Sequence, residues 1–274
     1  MNTPDKTNGA SRGDIWFDLL AGDFVQRTGQ CPSVRVADGT LHGEPVRAIA
    51  VVPDPGNHYP RAVRGEVGLL EGWTLGKTVA EAVEQDRGKS VKRTILAIID
   101  VPSQAYGRRE EAFGIHLALA AAAGAYATAR LAGHPVIGLI VGKAMSGAFL
   151  AHGYQANRLI AINDRGVMIH AMGKASAARI TLRTVEELEK LASTIPPMAY
   201  DIANYKTLGL LEDLIDVADP VHPTAVEVEN ARNAVLRAIE STRAGGVTLS
   251  NRLGSPNRAS TSLVCERMRE QWRE

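Results

Sequence analysis

The feature that most constrains this chain is an apolar run that stops at a bend. Between Pro135 and Gly142 the residues read VIGLIV, the composition of a strand buried on both faces. The pattern then changes. Ser146-Gly-Ala-Phe-Leu-Ala-His152 reads as a short helix, apolar on most sides. Ser146 is placed to cap it, and Gly147 lets a ligand approach the backbone closely. The first amides of a helix lack intrahelical partners and sit at the positive end of its dipole. A strand turning into such a helix presents N–H groups to an oxyanion or a carboxylate. A plain packing turn of small residues would read the same way, so the bend alone leaves both readings open.

Strands and helices alternate along the rest of the chain. Val46–Val52 and Thr94–Val101 read as buried strands, Leu159–Ile162 and Val167–His170 as shorter ones. Helical spacing covers Trp16–Phe24, Thr74–Asp86 with Thr74 as a cap, and an Ala-rich stretch from Arg109 to Leu131. It also covers Thr184–Ile195, Met198–Leu208 and Val226–Arg243. Arg61–Trp73 reads as a loop with one strand. Residues 1–13 are polar and read as a flexible tail, leaving 14–274 as one domain; the last thirty residues give no clear pattern. The class is α/β with mostly parallel pairing.

Two loops then share one rim. Asp100-VPSQAYGRRE-Glu111 and Gly142-KAMSG-Ala148 each follow the carboxyl end of a strand and open a helix. In a parallel sheet both emerge at the same edge, where ligands collect. Amides converging there would grip one oxygen from two sides.

Composition excludes several classes. With 31 basic and 30 acidic residues the net charge is +1, so neither nucleic acid nor a membrane surface is an expected partner. No apolar run reaches the roughly 20 residues of a membrane span. Cys31 and Cys265 lie too far apart in sequence for a metal motif or a disulfide framework, so no metal is expected, and the cytoplasm is.

The span Asp100–His170 resembles the crotonase-like carboxyltransferases. DVPSQAYG…EE…G and GKAMSGAFL parallel the DTPGAYPG…EE…G and GEGGSGGAL motifs of the alpha half of bacterial acetyl-CoA carboxylase carboxyltransferase. IDVPSQAYGRREE, VGKAMSGAFLAHGYQAN and MIHAMGK are similar to the gamma-subunit family of biotin-independent malonate decarboxylases. The resemblance implies a crotonase/ClpP-like ββα superhelix paired with a homologous beta subunit in a composite site. It implies a malonyl thioester substrate on the phosphopantetheine-type group of a partner acyl carrier protein, with no cofactor bound by this chain. The products would be the acetyl thioester and carbon dioxide. Two other roles stay open: a non-catalytic scaffold completing a partner's site, or a carboxyltransferase acting on an acyl-CoA.

Chemistry then sets the residue roles. Loss of carbon dioxide leaves an enolate that needs fixed N–H donors, and the departing carboxylate needs a second anion site. Each crotonase-like half would supply one. The amides around Tyr106–Gly107 and Gly147–Ala148 are expected to hold the carboxylate. His170 and Tyr106 are candidate proton donors, and Ser146 is a candidate nucleophile although no GxSxG motif surrounds it. Gln104, Lys143 and Met145 are expected at the substrate. Met145 stands where the carboxyltransferases have glycine, which crowds a biotin-sized site. His152 reads as a hydrogen-bonded core histidine rather than an acid. Glu110 and Glu111 read as first-turn carboxylates of the long helix. Leu150 occupies the position where an enoyl-CoA hydratase would place a glutamate, which argues against that activity.

Overall fold

The computed structural model describes residues 10–272, and its first element revises the expected tail. Helix α1 (Arg12–Ala21) begins where the Ser11 side chain accepts from the Asp14 amide. Arg12 pairs with Asp164 at 2.6 Å, and the Gly13 amide donates to the Asp100 carboxylate at 3.3 Å. Chain expected to be flexible is therefore tied to the sheet at Arg12 and Gly13; residues 1–9 of that tail lie outside the described residues. Trp16, Phe17 and Leu20 of α1 are buried in the main core.

Two strands absent from the sequence reading precede the first one it found. The short β1 (Val25–Gln26) pairs with β2 (Val34–Leu41), which forms a hairpin with β3 (Glu44–Val51). The two-residue turn His42-Gly43 has positive φ at both positions, the twist that suits a tight hairpin. Helix α2 (Leu69–Gln85) starts five residues before the expected cap at Thr74. Gly68 is its N-cap, and the Glu71 carboxylate accepts the Gly68 amide at 2.9 Å. The strand expected within residues 61–73 is only a single bridge between Val67 and Gln104.

The strand β4 (Thr94–Val101) matches its expected bounds. The long helix expected after it is two: α3 (Arg108–Ala112) and α4 (Ile115–Leu131), broken at Gly114, whose φ is +80°. Then come β5 (Val136–Met145), α5 (Ser146–Ala151), β6 (Arg158–Ile162) and β7 (Met168–His170). Helices α6 (Lys174–Ile180), α7 (Val185–Ala192) and α8 (Ile202–Thr207) lead to β8 (Asp213–Ile215), α9 (Ala225–Gly245) and α10 (Ala259–Trp272).

The sheet order is β1-β2-β3-β4-β5-β6-β8, parallel from β3 onward. Strand β5 runs four residues past its expected end because it has two partners. Ile137–Ile140 pair with β6, and Lys143–Met145 then pair with β7. Helices α2 and α4 pack closely because Gly72 faces Ala118: a Cβ there would lie 2.8 Å from the Ala118 carbonyl. The extra pairing carries β5 beyond the main sheet and places its terminal bend beside the β4 loop.

Candidate functional site

The two loops are rooted on one carboxylate. Asp100, near the end of β4, accepts the Lys143 amide at 3.0 Å and the Gly13 amide with its other oxygen. Beyond it the first loop lies against Val67. The Val67 amide donates to the Ser103 carbonyl at 3.1 Å, and the Ala105 amide to the Val67 carbonyl at 2.8 Å. These bonds clamp the backbone of Gln104 on both sides. Its side chain crosses to the second loop, where Oε1 accepts the Gly147 N–H at 2.6 Å. The loops do meet, through a side-chain oxygen of one and a backbone donor of the other.

At the second bend the expected cap is corrected. Met145 is the N-cap of α5, and Ser146 takes the left-handed conformation with φ +56°. That conformation costs a non-glycine residue about 1 kcal/mol. The Ser146 hydroxyl does not cap the helix; it donates to the Ala171 carbonyl at 2.7 Å. A strained serine at a strand-to-helix turn has the geometry of a nucleophile elbow. Here its proton goes to a carbonyl, and no basic side chain accepts it among the described residues. The bend instead directs the Gly147 amide away from α5 and toward Gln104.

His170 closes the third side. It ends β7 opposite Met145, and its ring stacks on Tyr200 with centroids 3.8 Å apart and planes within 9°. Nδ1 lies 3.2 Å from the Met172 nitrogen and 3.0 Å from the Met172 carbonyl, which leaves Nε2 without a partner among the described residues. Burial holds the His170 pKa below its ordinary value, partly offset by the Met172 carbonyl.

Gln104, Ser146, Gly147 and His170 line one cavity of about 620 Å³. Its walls are mostly apolar, with Phe149, Leu150 and Ile169 among them. The other expected site residues lie outside this lining. Tyr106 is 55% exposed, and Gly107 is the N-cap of α3. Lys143 is exposed at the root of its loop. Ala148 is buried in the main core. Met145 does not crowd the cavity: it is buried in a separate cluster with Ala177, Ala178, Leu188 and Tyr200. Three residues of the uninterpreted C-terminal stretch, Asn257, Arg258 and Thr261, line the cavity too. No motif or periodicity marks them, because only the return of the chain from α9 brings them there.

His152 is the core histidine its surroundings suggested. It is fully buried; Nε2 donates to the Ile98 carbonyl at 3.0 Å, so Nδ1 accepts from the Tyr126 hydroxyl at 3.0 Å. Burial lowers its pKa to about 4. Among the described residues no group of three or more His, Cys, Asp or Glu side chains is arranged to hold a metal, and no helix is long and apolar enough to cross a membrane.

Residues 62–272 match the family model of the malonate decarboxylase gamma subunit. A malonyl-S-ACP:biotin-protein carboxyltransferase of Malonomonas rubra is 36% identical over 188 residues, 68% of this chain; the chain spans 61% of that relative's length. A chain of the Pseudomonas malonate decarboxylase hetero-tetramer, solved with coenzyme A, superposes with a TM-score of 0.93 at 60% identity. That match covers 96% of this chain and 100% of the other. Transcarboxylase 12S, at 20% identity, shares the fold alone, with a TM-score of 0.64 over 85% of this chain and 41% of that one. The architecture is the crotonase-like one that the motif resemblance implied. With the family model covering most of its length, this chain belongs to the malonate decarboxylase gamma-subunit family.

Proposed function

We propose that this chain works with a homologous beta subunit to decarboxylate a malonyl thioester carried on an acyl carrier protein, as a carboxy-lyase component. The observation that carries the reading is the Gly147 amide, which already holds a carbonyl-type oxygen at 2.6 Å inside a cavity shared with His170. A donor set in that way is suited to a charged oxygen of the substrate.

In the reaction, the bond between the malonyl methylene and its carboxylate breaks and carbon dioxide leaves. The electron pair passes to the thioester enolate, and a proton on the methylene carbon completes the acetyl thioester. The first-turn amide of Gly147 holds the carboxylate out of the thioester plane, which aligns the breaking bond. His170 is the proton donor through Nε2, with Tyr200 behind its ring. Ser146 shapes the bend by bonding Ala171 rather than acting as a nucleophile. Tyr106, Gly107 and Lys143, outside the cavity, meet substrate only in the assembled complex, and Met145 supports the bend from behind. Both cysteines are free thiols, which supports a cytoplasmic setting.

A second reading rests on the Malonomonas rubra relative, whose name describes carboxyl transfer to a biotin protein. Reconstitution separates the two. The chain, its beta partner and malonyl-loaded carrier are combined without any biotin protein. Carbon dioxide and acetyl carrier in equal amounts are expected; release only after a biotin protein is added would contradict the proposal and favour transfer.

A further inference from the structure

We propose that Gln104 is a product-release residue whose side-chain carbonyl stands in for the substrate oxygen and yields its place only to a charged one. This deepens the functional reading above and rests on it.

The Gln104 backbone is fixed by the paired bonds to Val67 on either side, so only its side chain is free to leave. Oε1 is the atom that meets Gly147, because a backbone N–H requires an acceptor. The Gly147 position is closed around that oxygen. A Cβ there would lie 2.7 Å from Oε1 and 3.3 Å from the Leu119 side chain. Any substrate oxygen reaching the amide must therefore displace Gln104. A neutral thioester carbonyl exchanges one neutral hydrogen bond for another and gains nothing. A carboxylate or an enolate forms a charge-assisted bond, roughly twice as strong, and wins the exchange. Before the reaction the malonyl group carries that charge; after it the acetyl group does not. Gln104 then returns to the amide and helps the neutral product leave.

The test uses the assembled complex with malonyl-loaded carrier as substrate and acetyl-loaded carrier as product inhibitor. Gln104→Leu keeps the volume and removes the acceptor. The inhibition constant for the acetyl carrier is expected to fall about fivefold, the factor carried by one neutral hydrogen bond, and KM for the malonyl carrier to fall by a similar factor, since both then reach the amide without displacing Gln104. Gln104→Glu places a fixed charge on the amide and is expected to raise that KM at least about tenfold. It keeps the test decisive if the leucine variant does not assemble. An unchanged acetyl inhibition constant in a Gln104→Leu complex that still releases carbon dioxide, or an unchanged malonyl KM in Gln104→Glu, overturns the role of Gln104 and leaves the function standing. An unsubstituted complex that releases no carbon dioxide overturns both.

Discussion

Two histidines on neighbouring elements have opposite fates, and each makes a measurable claim about pH. His152 is buried with its pKa lowered to about 4, so the folded state refuses a proton that the unfolded chain accepts near 6.5. Its contribution to stability is complete above about pH 6.5 and is lost progressively as pH falls toward 4, up to about 3 kcal/mol. Denaturant unfolding followed from pH 7 to pH 4.5 should show this slope, and a His152→Gln variant should flatten it. His170 is only half-buried and faces the cavity. Its depressed pKa places the acidic form below the ordinary histidine range. With its imidazolium protonating the enolate, kcat/KM falls as pH rises through a value below about 6.5, and His170→Asn removes that limb. A limb unchanged in His170→Asn assigns the proton to another group. Ser146, by contrast, has the residue type of a cap without acting as one; the left-handed φ that diverts its hydroxyl is invisible in a sequence.

Among the elements, the legible ones are those whose burial follows one rule along their length. Strand β4 is buried at every position but Asp100 and keeps its expected bounds. Strand β2 is hidden in the sequence because Asp38-Gly39 interrupts its apolar pattern. Asp38 is there to bind the fully buried Arg47 at 2.8 and 2.6 Å, and Gly39 leaves room for the Phe24 ring. Both causes lie outside the strand itself. The start of helix α2 is hidden in the sequence because its N-terminus is capped by glycine, with Glu71 supplying the acceptor. Glu71 is fully buried and accepts from Gly68, from Asn57 at 2.7 Å and from the Ser33 hydroxyl. Glu71→Ala strands all three donors and should cost about 3 kcal/mol in denaturant unfolding. Gly114, at φ +80° between α3 and α4, should lose about 1 kcal/mol on substitution by Ala, measured the same way.

For the whole molecule, the sequence exposed one half of the site. The two loops at a common rim were readable from strand ends alone, and so was the bend that carries Gly147. The cavity's far wall was not, since Asn257, Arg258 and Thr261 arrive from distant chain and follow no local pattern. The meeting point is also a side chain against an amide, a contact set by the second pairing of β5 with β7. The central claim is that the Gly147 amide receives the substrate's charged oxygen. The direct measurement is kcat for malonyl-thioester decarboxylation by the assembled complex carrying Gly147→Val. Its branched side chain fills the space now held by Gln104 Oε1. A loss of about a hundredfold or more, the cost of disabling one such donor, with assembly and unfolding midpoint unchanged, is the predicted result. Turnover equal to that of the unsubstituted complex would contradict the account.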